Sequence, residues 1–97
     1  MISTHILDTE HGEPRAGLKV ALYRGDTLVS EQLTDADGRV AELAPDGVEP
    51  GDYRLVFGVA GEFFRQVELT LSISDAERHY HVPLLVAPYA CTTYRGS

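Results

Sequence analysis

Cys91 is the one cysteine in the chain, so no disulfide can form within it. Basic charge is scarce as well. Eight lysines and arginines face 15 aspartates and glutamates, for a net charge of −7 and a pI near 4.9. That balance argues against nucleic acid and anionic membrane surfaces as partners, although a local cluster of Arg and His leaves room for a small anionic ligand. No apolar run approaches the length of a membrane span. The N-terminus, Met-Ile-Ser-Thr-His-Ile-Leu-Asp, has no basic region followed by an apolar stretch. It does not read as a secretory signal, and a cytoplasmic protein is expected. Cys-x-x-Cys, His-Glu-x-x-His, Gly-x-Ser-x-Gly and a phosphate-cradling glycine loop are all missing. No cofactor is expected.

Helix signals are few, and strand chemistry fills most of the 97 residues. A chain of this length makes one domain, residues 1–97, whose core is modest and which association would stabilise further. Ser3–Leu7 is short and β-branched or apolar. Asp8–Gly17 is rich in turn formers and reads as a loop. Leu18–Tyr23 alternates, Arg24-Gly25-Asp26 is a tight turn, and Thr27–Thr34 is a further strand. Asp35-Ala36-Asp37-Gly38 resembles the start of a calcium loop but lacks the downstream ligands, so it reads as a turn before a short strand, Arg39–Leu43. Ala44–Gly51 is a loop, Asp52–Phe57 points Tyr53, Leu55 and Phe57 inward, and Phe63–Ile73 is the longest alternating run. The sum is about eight short strands, an all-β chain folded as a two-sheet sandwich with little or no helix.

The last stretch, His79–Ser97, is the most informative. As a strand, its start sorts Tyr80, Val82, Leu84 and Val86 onto one face and His79, His81, Pro83 and Leu85 onto the other. The first is an ordinary core face. The second carries two imidazoles and a proline where a packed sheet prefers aliphatics, which suggests a site. Zinc would need a third ligand brought in from His5 or His11, and no carboxylate or thiolate signature completes the set, so a metal-free role is favoured. Taken singly, His5 reads as an exposed strand residue, Arg39 as a solvated turn exit, Arg95 as a counter-charge to the terminal carboxylate and Cys91 as a small apolar filler.

These residues together resemble the 5-hydroxyisourate hydrolases, the transthyretin-related enzymes of urate breakdown. His79-Tyr80-His81-Val82-Pro83-Leu84-Leu85 is similar to the family's penultimate-strand motif, and Tyr94-Arg95-Gly96-Ser97 to its closing tetrapeptide. His5-Ile6-Leu7-Asp8 resembles its opening, and Thr34–Arg39 its Thr-x-x-Asp-Gly-Arg segment. The resemblance implies a transthyretin-like sandwich that hydrolyses 5-hydroxyisourate. It implies catalytic roles for His5, Arg39, His81 and Ser97, with His81 as the favoured base, and substrate contacts from His5, Arg39, Tyr94, Arg95 and Gly96. It also implies a homotetramer, a dimer of dimers with sites at the dimer–dimer interface. In the family a short helix follows the strand equivalent to Asp52–Phe57, and here Gly58–Gly61 leaves little room for it. The alternatives are a non-catalytic transthyretin-like carrier of a small ligand, or a structural sandwich module. The His/Arg/His set and the Tyr-Arg-Gly-Ser ending lean against both.

Overall fold

The computed structural model describes all 97 residues, Met1–Ser97. Nine strands form two sheets, and there is no helix: β1 (Ile2–Asp8), β2 (Glu13–Pro14), β3 (Lys19–Arg24), β4 (Thr27–Leu33), β5 (Arg39–Val40), β6 (Gly51–Phe57), β7 (Val67–Ile73), β8 (Tyr80–Ala87) and β9 (Ala90–Thr93). One sheet runs β4-β3-β6-β7. The other runs β2-β1-β8-β9, with β5 also pairing on β1. β1 lies parallel to β8 over its full length, while its other edge is shared by β5 near the start and β2 near the end.

Period-two patterning decides which faces meet. From β1 come Ile2, Thr4 and Ile6, from β3 Val20 and Leu22, from β6 Tyr53, Leu55 and Phe57, and from β8 Tyr80, Val82, Leu84 and Val86, all buried between the sheets. Leu43 joins them from outside any strand, fully buried, with its N–H donating to the carbonyl of Ile2.

Two tyrosines fasten loops in the same manner. The Tyr53 hydroxyl accepts the N–H of Glu49 at 3.0 Å and donates to the Glu49 carbonyl at 2.9 Å. The Tyr80 hydroxyl does the same with Asp75, at 3.1 and 3.0 Å. Each ring is buried and each hydroxyl meets the N–H and carbonyl of one loop residue, which suits the divided chemistry of tyrosine. Arg24, in the Arg-Gly-Asp turn, bonds Glu49, the Pro50 carbonyl and the Tyr53 hydroxyl, so it braces this loop.

The structure differs from the sequence pattern in three places. The segment read as the loop Asp8–Gly17 contains β2, which folds back on Leu7 and Asp8. The strand expected over Arg39–Leu43 stops at Val40. The run expected from Phe63 enters its sheet only at Val67, because Ala60 takes a left-handed φ of 53° and Gly61 donates back to the Phe64 carbonyl. The connection 58–66 therefore turns on itself and carries no helix.

Candidate active site

Strand register gathers the site. Ser3 lies opposite His81, His5 opposite Pro83, and Arg39 opposite His5. Directly paired residues project to one side of a sheet. Ser3, His5, Arg39, His81 and Pro83 therefore share the face turned away from the core, on three different strands. Thr4, on the opposite face, is buried and donates to the Val82 carbonyl at 2.6 Å, which fixes β1 against β8 beside His81.

Arg39 reaches its place through the Asp-Gly turn. The Asp35 carboxylate accepts the N–H groups of Asp37 and Arg39, both at 2.9 Å. Gly38 follows with a φ of 75°, a conformation open to glycine. A Cβ there would also meet the Ile6 carbonyl at 2.6 Å. The turn is thus pressed against β1, and Arg39 emerges beside His5. The Asp35 carboxylate, first of the pair that resembles a calcium loop, is occupied with backbone. No three His, Cys, Asp or Glu side chains come together in a way that would hold a metal.

His81 is half-buried, and its pKa is lowered from the ordinary 6.5. Burial is the largest cause, followed by the charge of Arg39 and then by His79 and His5. The ring is therefore held as neutral imidazole at neutral pH. His5 is half-buried and Arg39 exposed.

The chain's end is stitched to this site. Gly96 donates its N–H to the His81 carbonyl at 2.7 Å, an isolated bridge beyond the end of β9, and Ser97 follows it. Arg95 does not join the His/Arg/His set. Its guanidinium sits 4.7 Å from the ring centroid of Tyr80, a core-face residue, and with Tyr94 it lines a groove between β7 and β9. Tyr94 itself is largely exposed.

Sequence reasoning assigned no role to Ser3. Its hydroxyl oxygen lies 2.7 Å from Nε2 of His79 and 2.8 Å from Nδ1 of His81. The available signal was its alternation with His5 on β1, which puts it on the histidine face. A separate hollow lies between Asp8, His11, Phe64, Tyr89 and Cys91. There the exposed His11 ring and the Asp8 carboxylate lie 2.9 Å apart, and chiefly through their hydrogen bond the pKa of His11 is raised and that of Asp8 lowered.

Comparison with known proteins matches residues 2–96 to the HIUase/Transthyretin family. The 5-hydroxyisourate hydrolase of Pseudomonas aeruginosa is 41% identical over 115 aligned residues, covering 99% of this chain and 90% of its own. A chain of 97 residues leaves at least 18 of those 115 positions unmatched, consistent with a shortened connection. Among solved structures, Klebsiella pneumoniae 5-hydroxyisourate hydrolase superposes with a TM-score of 0.91 at 33% identity, covering 99% of this chain and 98% of its own. Sea bream transthyretin, in complex with thyroxine, superposes at 0.82 with 25% identity, covering 98% and 93%. The family match and these relatives cover nearly the whole length, and the chain belongs to the HIUase/Transthyretin family.

Proposed function

We propose that this chain, acting as one unit over residues 1–97, hydrolyses 5-hydroxyisourate to 2-oxo-4-hydroxy-4-carboxy-5-ureidoimidazoline, a step of urate degradation. The observation that carries this reading is the convergence of His5, Arg39 and His81 on one open sheet face, in a chain whose named relatives are 5-hydroxyisourate hydrolases.

Ring opening needs a base for water, a donor or cation for the developing oxyanion, and recognition of a flat polar heterocycle. His81, neutral and flanked by Arg39 and His5, is the base. His5 orients the water or shares its proton. Arg39 offers a planar fork of donors to the polarised carbonyl. The hydroxyl or carboxylate of Ser97 helps to place the water, next to Gly96, and Tyr94 contacts the ring of the substrate. Arg95, stacked on Tyr80, holds the terminal segment rather than the substrate.

The face carrying these groups has no second wall within the chain. This supports a homotetramer, a dimer of dimers in which a neighbouring copy closes the cleft. A cytoplasmic location belongs to the same proposal.

The test is the ultraviolet decay of 5-hydroxyisourate, made fresh from urate with urate oxidase and compared with its spontaneous decay. Acceleration that scales with protein concentration is expected. A folded tetramer that gives none would favour the carrier reading, for which the thyroxine complex of sea bream transthyretin is the precedent within the same fold.

A further inference from the structure

We propose that Ser3 and His79 form a positioning pair that sets the tautomer of His81, leaving the Nε2 lone pair of His81 free to take a proton from water. The inference rests on the hydrolase reading, with His81 as the base, and extends it to two residues that otherwise have no role.

The argument is a count of protons. Nε2 of His79, Oγ of Ser3 and Nδ1 of His81 form a line with contacts of 2.7 and 2.8 Å. Two hydrogen bonds need two hydrogens, and the serine hydroxyl has one. At least one ring must therefore donate to Ser3, whose oxygen can accept from one ring or from both. If His79 alone donates, the serine proton points at Nδ1 of His81. Neutral His81 then carries its hydrogen on Nε2 and has no basic atom left for the substrate. If His81 donates from Nδ1, the serine donates on to His79, and Nε2 of His81 keeps its lone pair. A base requires the second arrangement.

The surroundings favour that direction. Ser3 is buried and paired in register with His81, so its hydroxyl is held in place by the strand. His79 is exposed, so water can satisfy its other ring nitrogen. The groups pressing on His81 are Arg39 from β5, His5 from β1 and His79, one residue ahead of β8.

The experiment pairs ring nitrogen-15 NMR of the intact protein with steady-state kinetics. His81 in the unsubstituted chain is expected to carry its hydrogen on Nδ1. Ser3→Ala, a smaller side chain at a buried position, is expected to return His81 to the Nε2–H form. It should lower kcat about tenfold or more, the scale of general-base effects, with KM changed little. His79→Gln keeps an acceptor near the position of Nε2 and should retain most of the rate, whereas His79→Leu should not. Nε2–H on His81 in the active, unsubstituted chain, or a Ser3→Ala variant with unchanged kcat, would overturn the proposal. An unsubstituted chain that fails to accelerate 5-hydroxyisourate decay would instead sink the hydrolase reading, and the tautomer spectrum would still be read on its own.

Discussion

A Cβ on residue 96 would stand 2.7 Å from Cδ2 of His81 and 3.3 Å from its Cγ. The space that Gly96 leaves empty is the space beside the imidazole. Neither backbone can easily back away, because the Gly96 N–H is bonded to the His81 carbonyl. Gly96→Ala must therefore push the ring or open the bridge. Misplacing a base by even part of an ångström is costly. The expected result is a fall in kcat/KM of about tenfold or more, roughly 1.4 kcal/mol in the barrier, with far-ultraviolet circular dichroism unchanged. Full activity would show that the ring has room to move.

The lowered pKa of His81 fixes the sign of two pH effects. A base works when neutral, so kcat/KM should rise with pH along an acid limb whose midpoint lies below 6.5. Removing the charge of Arg39, as in Arg39→Gln, should raise the His81 pKa towards 6.5 without reaching it, because burial remains the larger cause. NMR titration of the ring checks this even if turnover is lost. For stability, the unfolded chain binds more protons than the folded one between the folded pKa and 6.5. Stability should therefore decline as pH falls through that window.

The sequence made the sandwich legible because alternation at Tyr80, Val82, Leu84 and Val86 has a period that only a strand satisfies. It made His5 and Arg39 legible only through resemblance to a family, since residue type alone left them an exposed strand residue and a solvated turn exit, whereas His81 stood out by sharing a strand face with His79 and Pro83. What brings them together is register, Arg39 opposite His5 and Ser3 opposite His81. Register across strands distant in sequence leaves no local trace. The false start of β7 at Phe63 has a local cause: Phe63 and Phe64 look like strand residues, but Gly61 folds back onto Phe64.

The paired hydrogen bonds of Tyr80 to Asp75 are equally invisible to periodicity. Tyr80→Phe keeps the ring beneath Arg95 and removes only the hydroxyl. The Asp75 N–H would then depend on water, while its carbonyl keeps the Arg78 N–H at 3.2 Å. Urea unfolding should show a loss of about 1–2 kcal/mol, while kcat at saturating substrate stays close to that of the unsubstituted protein. A large kcat loss would mean that the loop at 75 communicates with the site.

Edge strands bear on assembly. β7 and β9 each leave one side unpaired, and the two edges flank a groove lined by Leu69, Leu71, Tyr80 and Val82. Unpaired backbone next to apolar side chains is a template for pairing with another chain, and it lies on strands adjoining the core rather than on loops. Leu71 is half-buried, on the face of β7 that meets this groove. If the proposed tetramer forms through these edges, Leu71→Asp places a charge where a second copy would pack. Analytical ultracentrifugation should then show a smaller species than the unsubstituted protein. Activity should fall with assembly, because the open face of His5, Arg39 and His81 would lose its opposite wall. A variant that remains assembled and active would move the interface away from β7, and the cleft would have to be closed by another surface of the sandwich.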